Sequence, residues 1–141
     1  MAQYPDWPFR ILLGGLRPGT TTVMSEKQKA FLRHHWEEIH QLTGQPFGYD
    51  ILERNDFIYD TEPAARAVVV VRQLHPLLTF DFFKAIQAAF YVRGQDTNAL
   101  ETYLELCDDF LLSGLLLLLF LSKRPFVSKP RRILKRRVCW E

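Results

Sequence analysis

The sequence predicts a single α/β domain that is mostly helical, and three observations carry that expectation. Four segments repeat their apolar residues at helical spacing between start and stop signals. One alternating segment, residues 9–13, reads as a strand. The 141 residues, 48% of them hydrophobic and 24% charged, suit one globular core and exclude wholesale disorder or collagen-like repeats.

In residues 9–13, Phe9, Ile11 and Leu13 share one face, and Gly14-Gly15-Leu16-Arg17-Pro18-Gly19 then turns the chain. A lone strand has no ladder partner, so its backbone groups need one from another molecule or from a further part of a sheet. Ser25 and Gln28 form a capping box that opens a helix over residues 26–42, closed by Gly44 and Pro46. Phe31, Trp36, Ile39 and Leu42 fall roughly on one side of it. A second helix, 62–74, starts at Asp60-Thr61-Glu62-Pro63 and stops at His75-Pro76. Ala64, Ala65, Ala67 and Val68 to Val71 make it apolar nearly all round, which predicts a place in the core. A third begins at Thr79, carries Phe80, Phe83, Ile86 and Phe90, and ends at Arg93-Gly94. A fourth begins near Asn98, paired with Glu101, and carries Leu100, Tyr103, Leu104 and Cys107. The helical core is thus expected over residues 25–112, inside a domain of residues 1–114.

Beyond residue 114 the texture changes. Leu115 to Leu121 is a greasy block without a polar face, and basic residues follow it directly. Residues 1–122 hold 10 Lys and Arg against 15 Asp and Glu, whereas residues 123–141 hold 8 against one. Residues 115–141 therefore read as a Leu-rich, then basic, tail outside the fold. The apolar run Phe110 to Leu121 has 12 residues, short of the roughly 20 that span a bilayer. Joined to the basic residues, it suits an anionic membrane surface better than a nucleic acid, for which no motif is present. The opening residues lack the basic start and apolar core of a secretory signal. Cys107 and Cys139 lie 32 positions apart, too few and too distant for a C-x-x-C pair or a four-thiolate zinc site. A reducing compartment fits them best.

Several motifs in order resemble one family. Gly14-Gly15-Leu16-Arg17-Pro18-Gly19-Thr20, His34-His35-Trp36, Thr43-Gly44-Gln45-Pro46-Phe47, Tyr59-Asp60-Thr61-Glu62-Pro63-Ala64 and Ala88-Ala89-Phe90-Tyr91-Val92-Arg93-Gly94-Gln95-Asp96 look like the DsbA-like thioredoxin superfamily. The nearest branch is the FrnE-like and 2-hydroxychromene-2-carboxylate-isomerase-like proteins, and the resemblance covers residues 8 to 112. It implies an α/β thioredoxin-like fold in remnant form, here a predominantly helical insertion domain with one clear strand. It also implies a cytoplasmic thiol–disulfide oxidoreductase or isomerase without a cofactor. The partner would be a protein thiol or disulfide, or a small-molecule substrate. Members place a C-x-x-C at a helix N-terminus, where the dipole favours the thiolate, and a cis-proline loop later. Neither motif matches here, so the chain is expected to be a truncated form with little or no redox activity. The alternatives are a noncatalytic helical binding module and a membrane-surface-associated fragment. Self-association is expected through the unpaired strand and Phe110 to Leu121.

Few residues invite chemistry. The resemblance places Leu16, Arg17 and Pro18 beside a substrate groove. The Gly14-Gly15 turn lacks G-x-G-x-x-G and a P-loop lysine, so it reads as a connector and not a phosphate cradle. Cys139 follows Arg136 and Arg137, cations that lower a thiol pKa, and is the candidate reactive thiol. Cys107 sits among Leu104, Leu106 and Phe110 and reads as inert. His34, His35 and His40 with Glu37 and Glu38 lack a metal-ligand spacing and read as a solvated cluster.

Overall fold

The computed structural model describes residues 11–112. Helix α1 spans Glu26–Thr43, opened by the expected box: Ser25 N–H donates to the Gln28 side chain at 2.9 Å, and Gln28 N–H returns a bond to the Ser25 hydroxyl. Gly44 closes it, donating to His40 carbonyl at 2.8 Å. A short helix α2 follows at Asp50–Glu53, then α3 at Glu62–Leu74, α4 at Thr79–Tyr91 and α5 at Leu100–Asp109. A 3₁₀ turn, Pro76–Leu78, joins α3 to α4, because Pro76 cannot continue the preceding helix.

Sheet structure is nearly absent from the described residues. Of the expected strand, residues 9 and 10 lie outside them, and Ile11–Leu13 pair with no other strand. Arg72 Nη1 instead donates to Ile11 carbonyl at 3.0 Å, a side chain standing in for a ladder partner. One antiparallel bridge joins Val23 to Ile58, and Met24 N–H donates to Phe57 carbonyl at 2.9 Å beside it. The tail, residues 115–141, lies outside the described residues, and so do the membrane and self-association expectations that rest on it. No described helix is long and apolar enough to cross a membrane.

Two cores fill the interior. Ala67, Val68 and Val71 of α3 meet Phe82 and Ile86 of α4 and Tyr103, Leu106 and Cys107 of α5. The second core joins Met24, Trp36, Ile51, Leu52, Phe57 and Phe90. Helix α4 serves both, Phe82 and Ile86 in one and Phe90 in the other, because its buried residues wind around about a third of its surface.

Two helix faces and one helix cap differ from the sequence pattern. On α1 the buried ridge is Lys29, Leu32 and Trp36, while Phe31, Ile39 and Leu42 stay exposed. Lys29 fits there because its ammonium reaches Glu26 at 2.7 Å while its stem packs inward. On α4 Phe90 is buried as expected, but its buried partner is Phe82 and not Phe80, which lies beneath Lys84. Asn98 does not cap α5: its side-chain amide donates to Ile58 carbonyl at 2.5 Å, leaving Ala99 at the cap. Long-range pairing outweighs the local cap signal.

Candidate functional site

The Gly14–Thr20 loop is clamped onto residues 59–61. Arg17 N–H donates to the Thr61 hydroxyl at 2.9 Å, and Thr61 N–H donates to Arg17 carbonyl at 3.2 Å. The Thr20 hydroxyl donates to that same carbonyl at 3.2 Å. Asp60 Oδ1 accepts from Gly19 N–H and Glu62 N–H, each at 2.9 Å, so one carboxylate ties the loop to the start of α3. Gly15 and Gly19 adopt left-handed φ of 57° and 71°, which lets the loop double back without Cβ strain.

Between this loop and the helices lies a cavity of about 200 Å³. Leu13, Gly14 and Gly15 form one wall, and Tyr59, Gln87, Phe90 and Tyr91 the other. A second cavity, about 280 Å³, shares Leu13–Gly15 and adds Pro18, Glu62 and Arg66. The aromatic wall is continuous. Tyr59 stacks on Phe90 with centroids 5.3 Å apart, Phe90 meets Tyr91 edge-on at 4.9 Å, and Tyr91 meets Trp36 edge-on at 5.4 Å. Trp36 then stacks on Phe47 at 5.6 Å. Each such pair adds about 0.5–1.5 kcal/mol beyond its area, so the wall is stiff.

Burial pushes the Tyr59 phenol well above its ordinary pKa, and the neighbouring Tyr91 adds to the rise, while Arg17 opposes it. The Arg17 guanidinium sits 5.7 Å from the Tyr59 ring centre, a cation–π distance. Tyr59 is therefore a neutral hydrogen-bonding group across the physiological range. The cavity offers rings, neutral polar groups and the Asp60 carboxylate, one oxygen of which already accepts from the Gly19 and Glu62 amides, an arrangement suited to binding and orienting a molecule.

The residues picked from sequence are dispersed. Leu16 points outward, 83% exposed; Arg17 holds the loop and covers Tyr59; Pro18 lines the 280 Å³ cavity. The loop residues on the 200 Å³ cavity are Gly14 and Gly15. Cys139 lies outside the described residues. Cys107 is buried in α5, and burial first, then Asp108, raises its thiol pKa. His35 Nδ1 lies 2.9 Å from Glu38, whose pKa falls mainly through that hydrogen bond. Among the described residues no three His, Cys, Asp or Glu side chains are grouped to hold a metal ion. Tyr59, Gln87 and Tyr91 had no role assigned from sequence, although two of them stand inside the motifs that carried the resemblance.

No family model and no curated protein matches the chain. Solved structures do. A candidate protein disulfide isomerase from Nitrosomonas europaea is 40% identical, with a TM-score of 0.69 over 74% of this chain and 52% of that one. The cytosolic disulfide reductase DsbM from Pseudomonas aeruginosa is 29% identical, with a TM-score of 0.66 over 76% of this chain and 51% of its own. The chain belongs to the DsbA-like thioredoxin superfamily. DsbM solved with glutathione also matches, at 32% identity and a TM-score of 0.63, over 76% of this chain and 52% of that one. This DsbA-like chain spans about half the length of each of these structures. Its described residues are almost entirely helix, turn and loop, in keeping with the predominantly helical insertion domain that the resemblance implies.

Proposed function

We propose that the described residues form the helical, substrate-facing wall of a cytoplasmic DsbA-family thiol–disulfide oxidoreductase or isomerase. The branch is the FrnE-like and 2-hydroxychromene-2-carboxylate-isomerase-like one. The observation that carries this is the 200 Å³ cavity between Leu13–Gly15 and Tyr59–Tyr91, in a helical half 40% identical to a candidate disulfide isomerase. DsbM is a cytosolic reductase solved with glutathione, which supports a thiol ligand of that size and a cytoplasmic setting. In this reading Gly14 and Gly15 admit a ligand's backbone closely, while Tyr59 and Gln87 offer it hydrogen bonds. Dithiol–disulfide exchange needs an attacking thiolate and a resolving thiol. Cys107 is buried and its thiol pKa is raised, so the part we assign to the described residues is to bind, not to exchange thiols.

Two measurements on the full chain test this. Reduced glutathione is expected to shift the amide resonances of Gly14, Gly15 and Thr61, and insulin turbidity with dithiothreitol is expected to stay at background. No shift at those amides overturns the binding role. Turnover above background that disappears in Cys107→Ser or Cys139→Ser overturns the noncatalytic one.

A further inference from the structure

A larger cleft, about 430 Å³, opens between the end of α1, residues 45–47 and the end of α4. Trp36, Ile39, Phe47 and Val92 supply its apolar lining, and Lys84 and Gln87 its polar rim. Ile39 and Val92 keep 40% and 41% of their surface in solvent, so the cleft has an open apolar lip. The loop-side cavity and this cleft are not independent, because Gln87 and Tyr91 line both. The row of rings from Tyr59 through Phe90, Tyr91 and Trp36 to Phe47 runs unbroken from one to the other.

We infer that this cleft is a side-chain subsite. It takes one bulky apolar residue, aromatic by preference, of a polypeptide whose sulfur-bearing residue occupies the loop-side cavity. The inference rests on the proposed reading of that first cavity. Tyr91 and Gln87 line both spaces, and ring-to-ring steps along the wall are close to 5 Å. An extended chain advances roughly 3.3 Å per residue, so two or three residues bridge the cavities. The volume fits a phenylalanine or tryptophan ring, which would lie against Phe47 and Tyr91 in the edge-on geometry these rings already show among themselves. Lys84, paired with Asp81 at 2.8 Å outside the cleft, is the one charged residue of the lining, so most of the cleft suits an uncharged side chain. Tyr91 and Val92 are the specificity-determining residues, Tyr91 as the shared wall and Val92 as the exposed lip.

The test uses the ¹⁵N-labelled full chain and four probes: reduced glutathione, N-acetylphenylalaninamide, and two capped pentapeptides. The peptides carry S-methylcysteine followed, three positions on, by phenylalanine or by alanine. The phenylalanine peptide is expected to shift Phe47, Ala88 and Val92 together with Gly14 and Thr61. It should bind about tenfold more tightly than the alanine peptide, the return for burying one ring. Ala88→Trp, which fills the cleft, is expected to erase that difference and leave the glutathione shifts intact. Equal affinity of the two peptides, with glutathione still shifting Gly14 and Thr61, overturns the subsite and leaves the first-cavity reading standing. Equal affinity of N-acetylphenylalaninamide and the phenylalanine peptide overturns the coupling of the two cavities. Silence of Gly14 and Thr61 toward every probe defeats the first-cavity reading, and the subsite with it.

Discussion

Gly48 is the position where the smallest possible change should do the most damage. Its N–H donates to Tyr91 carbonyl at 2.7 Å, so the segment after α1 lies directly on the end of α4. A Cβ built on Gly48 would run into the Val92 carbonyl oxygen and come within 3.2 Å of its carbon. The obstacle is backbone and cannot rotate aside, so Gly48→Ala must push residues 47–49 away from α4. Overpacking of this kind costs about 1–3 kcal/mol. The strained Gly48–Tyr91 hydrogen bond adds about 1 kcal/mol. Together they predict a loss of about 2–4 kcal/mol, a large share of a typical stability of 5–15 kcal/mol, and a melting temperature lower by roughly 8–16 °C. Gly14→Ala is the matched control, because a Cβ there meets nothing within 4 Å, and its change should stay within about 0.5 kcal/mol. Urea unfolding followed by far-UV circular dichroism measures both. Coincident midpoints for Gly48→Ala and Gly14→Ala would refute the close approach of the two segments.

Val71, fully buried between α3, α4 and α5, should tolerate no charge. Val71→Asp is expected to cost about 4 kcal/mol or more, visible as loss of cooperative melting. Leu111 holds a left-handed φ of 52° while 94% of its side chain lies in solvent, so Leu111→Gly should raise the urea midpoint by the equivalent of about 1 kcal/mol. Cys107, its thiol pKa raised by burial, should react with Ellman's reagent in a Cys139→Ser background only after denaturant is added. A raised folded pKa means this group's stability contribution is intact below the ordinary thiol pKa and lost as pH climbs through the folded value. The stability gap between Cys139→Ser and Cys107→Ala/Cys139→Ser should therefore shift against the thiol as pH rises above the ordinary thiol pKa, readable from paired urea curves.

The sequence made helices legible where local chemistry and burial agree. The Ser25–Gln28 box, the Pro63 start and the Pro76 stop act within a few residues, and α1, α3 and α4 begin and end within one or two positions of those signals. Residues 48–58 were not legible. Ile51, Leu52 and Phe57 are almost fully buried, yet α2 is four residues long, too short for a helical period to show. The segment is held by distant partners: Arg54 reaches Asp96 at 3.1 Å, and Arg33 pairs with Glu53. The outward turn of Phe31, Ile39 and Leu42 was hidden for a related reason. An apolar stripe shows which side of a helix is greasy, and only the arrival of α2 and α4 beside Lys29, Leu32 and Trp36 decides which side is covered. The loop Gly14–Thr20 was found through its motif, but its cavity depends on Tyr59, Gln87 and Tyr91, brought in from two other segments.

Those rings make the site and the second core one object. Trp36 and Phe90 are 4% exposed and belong to the core, yet Phe90 lines the loop-side cavity and Trp36 the larger cleft. A substitution at either removes core burial and cavity wall together, so its effect on binding cannot be separated from its effect on folding. Gln87 is exposed and Val92 forms a lip, and neither contributes to the two cores. Changes at these two positions should alter ligand preference at nearly constant stability, because surface substitutions away from buried networks usually stay within about 0.5 kcal/mol. Specificity can therefore vary at Gln87 and Val92 while the aromatic row behind them is fixed by the requirements of folding.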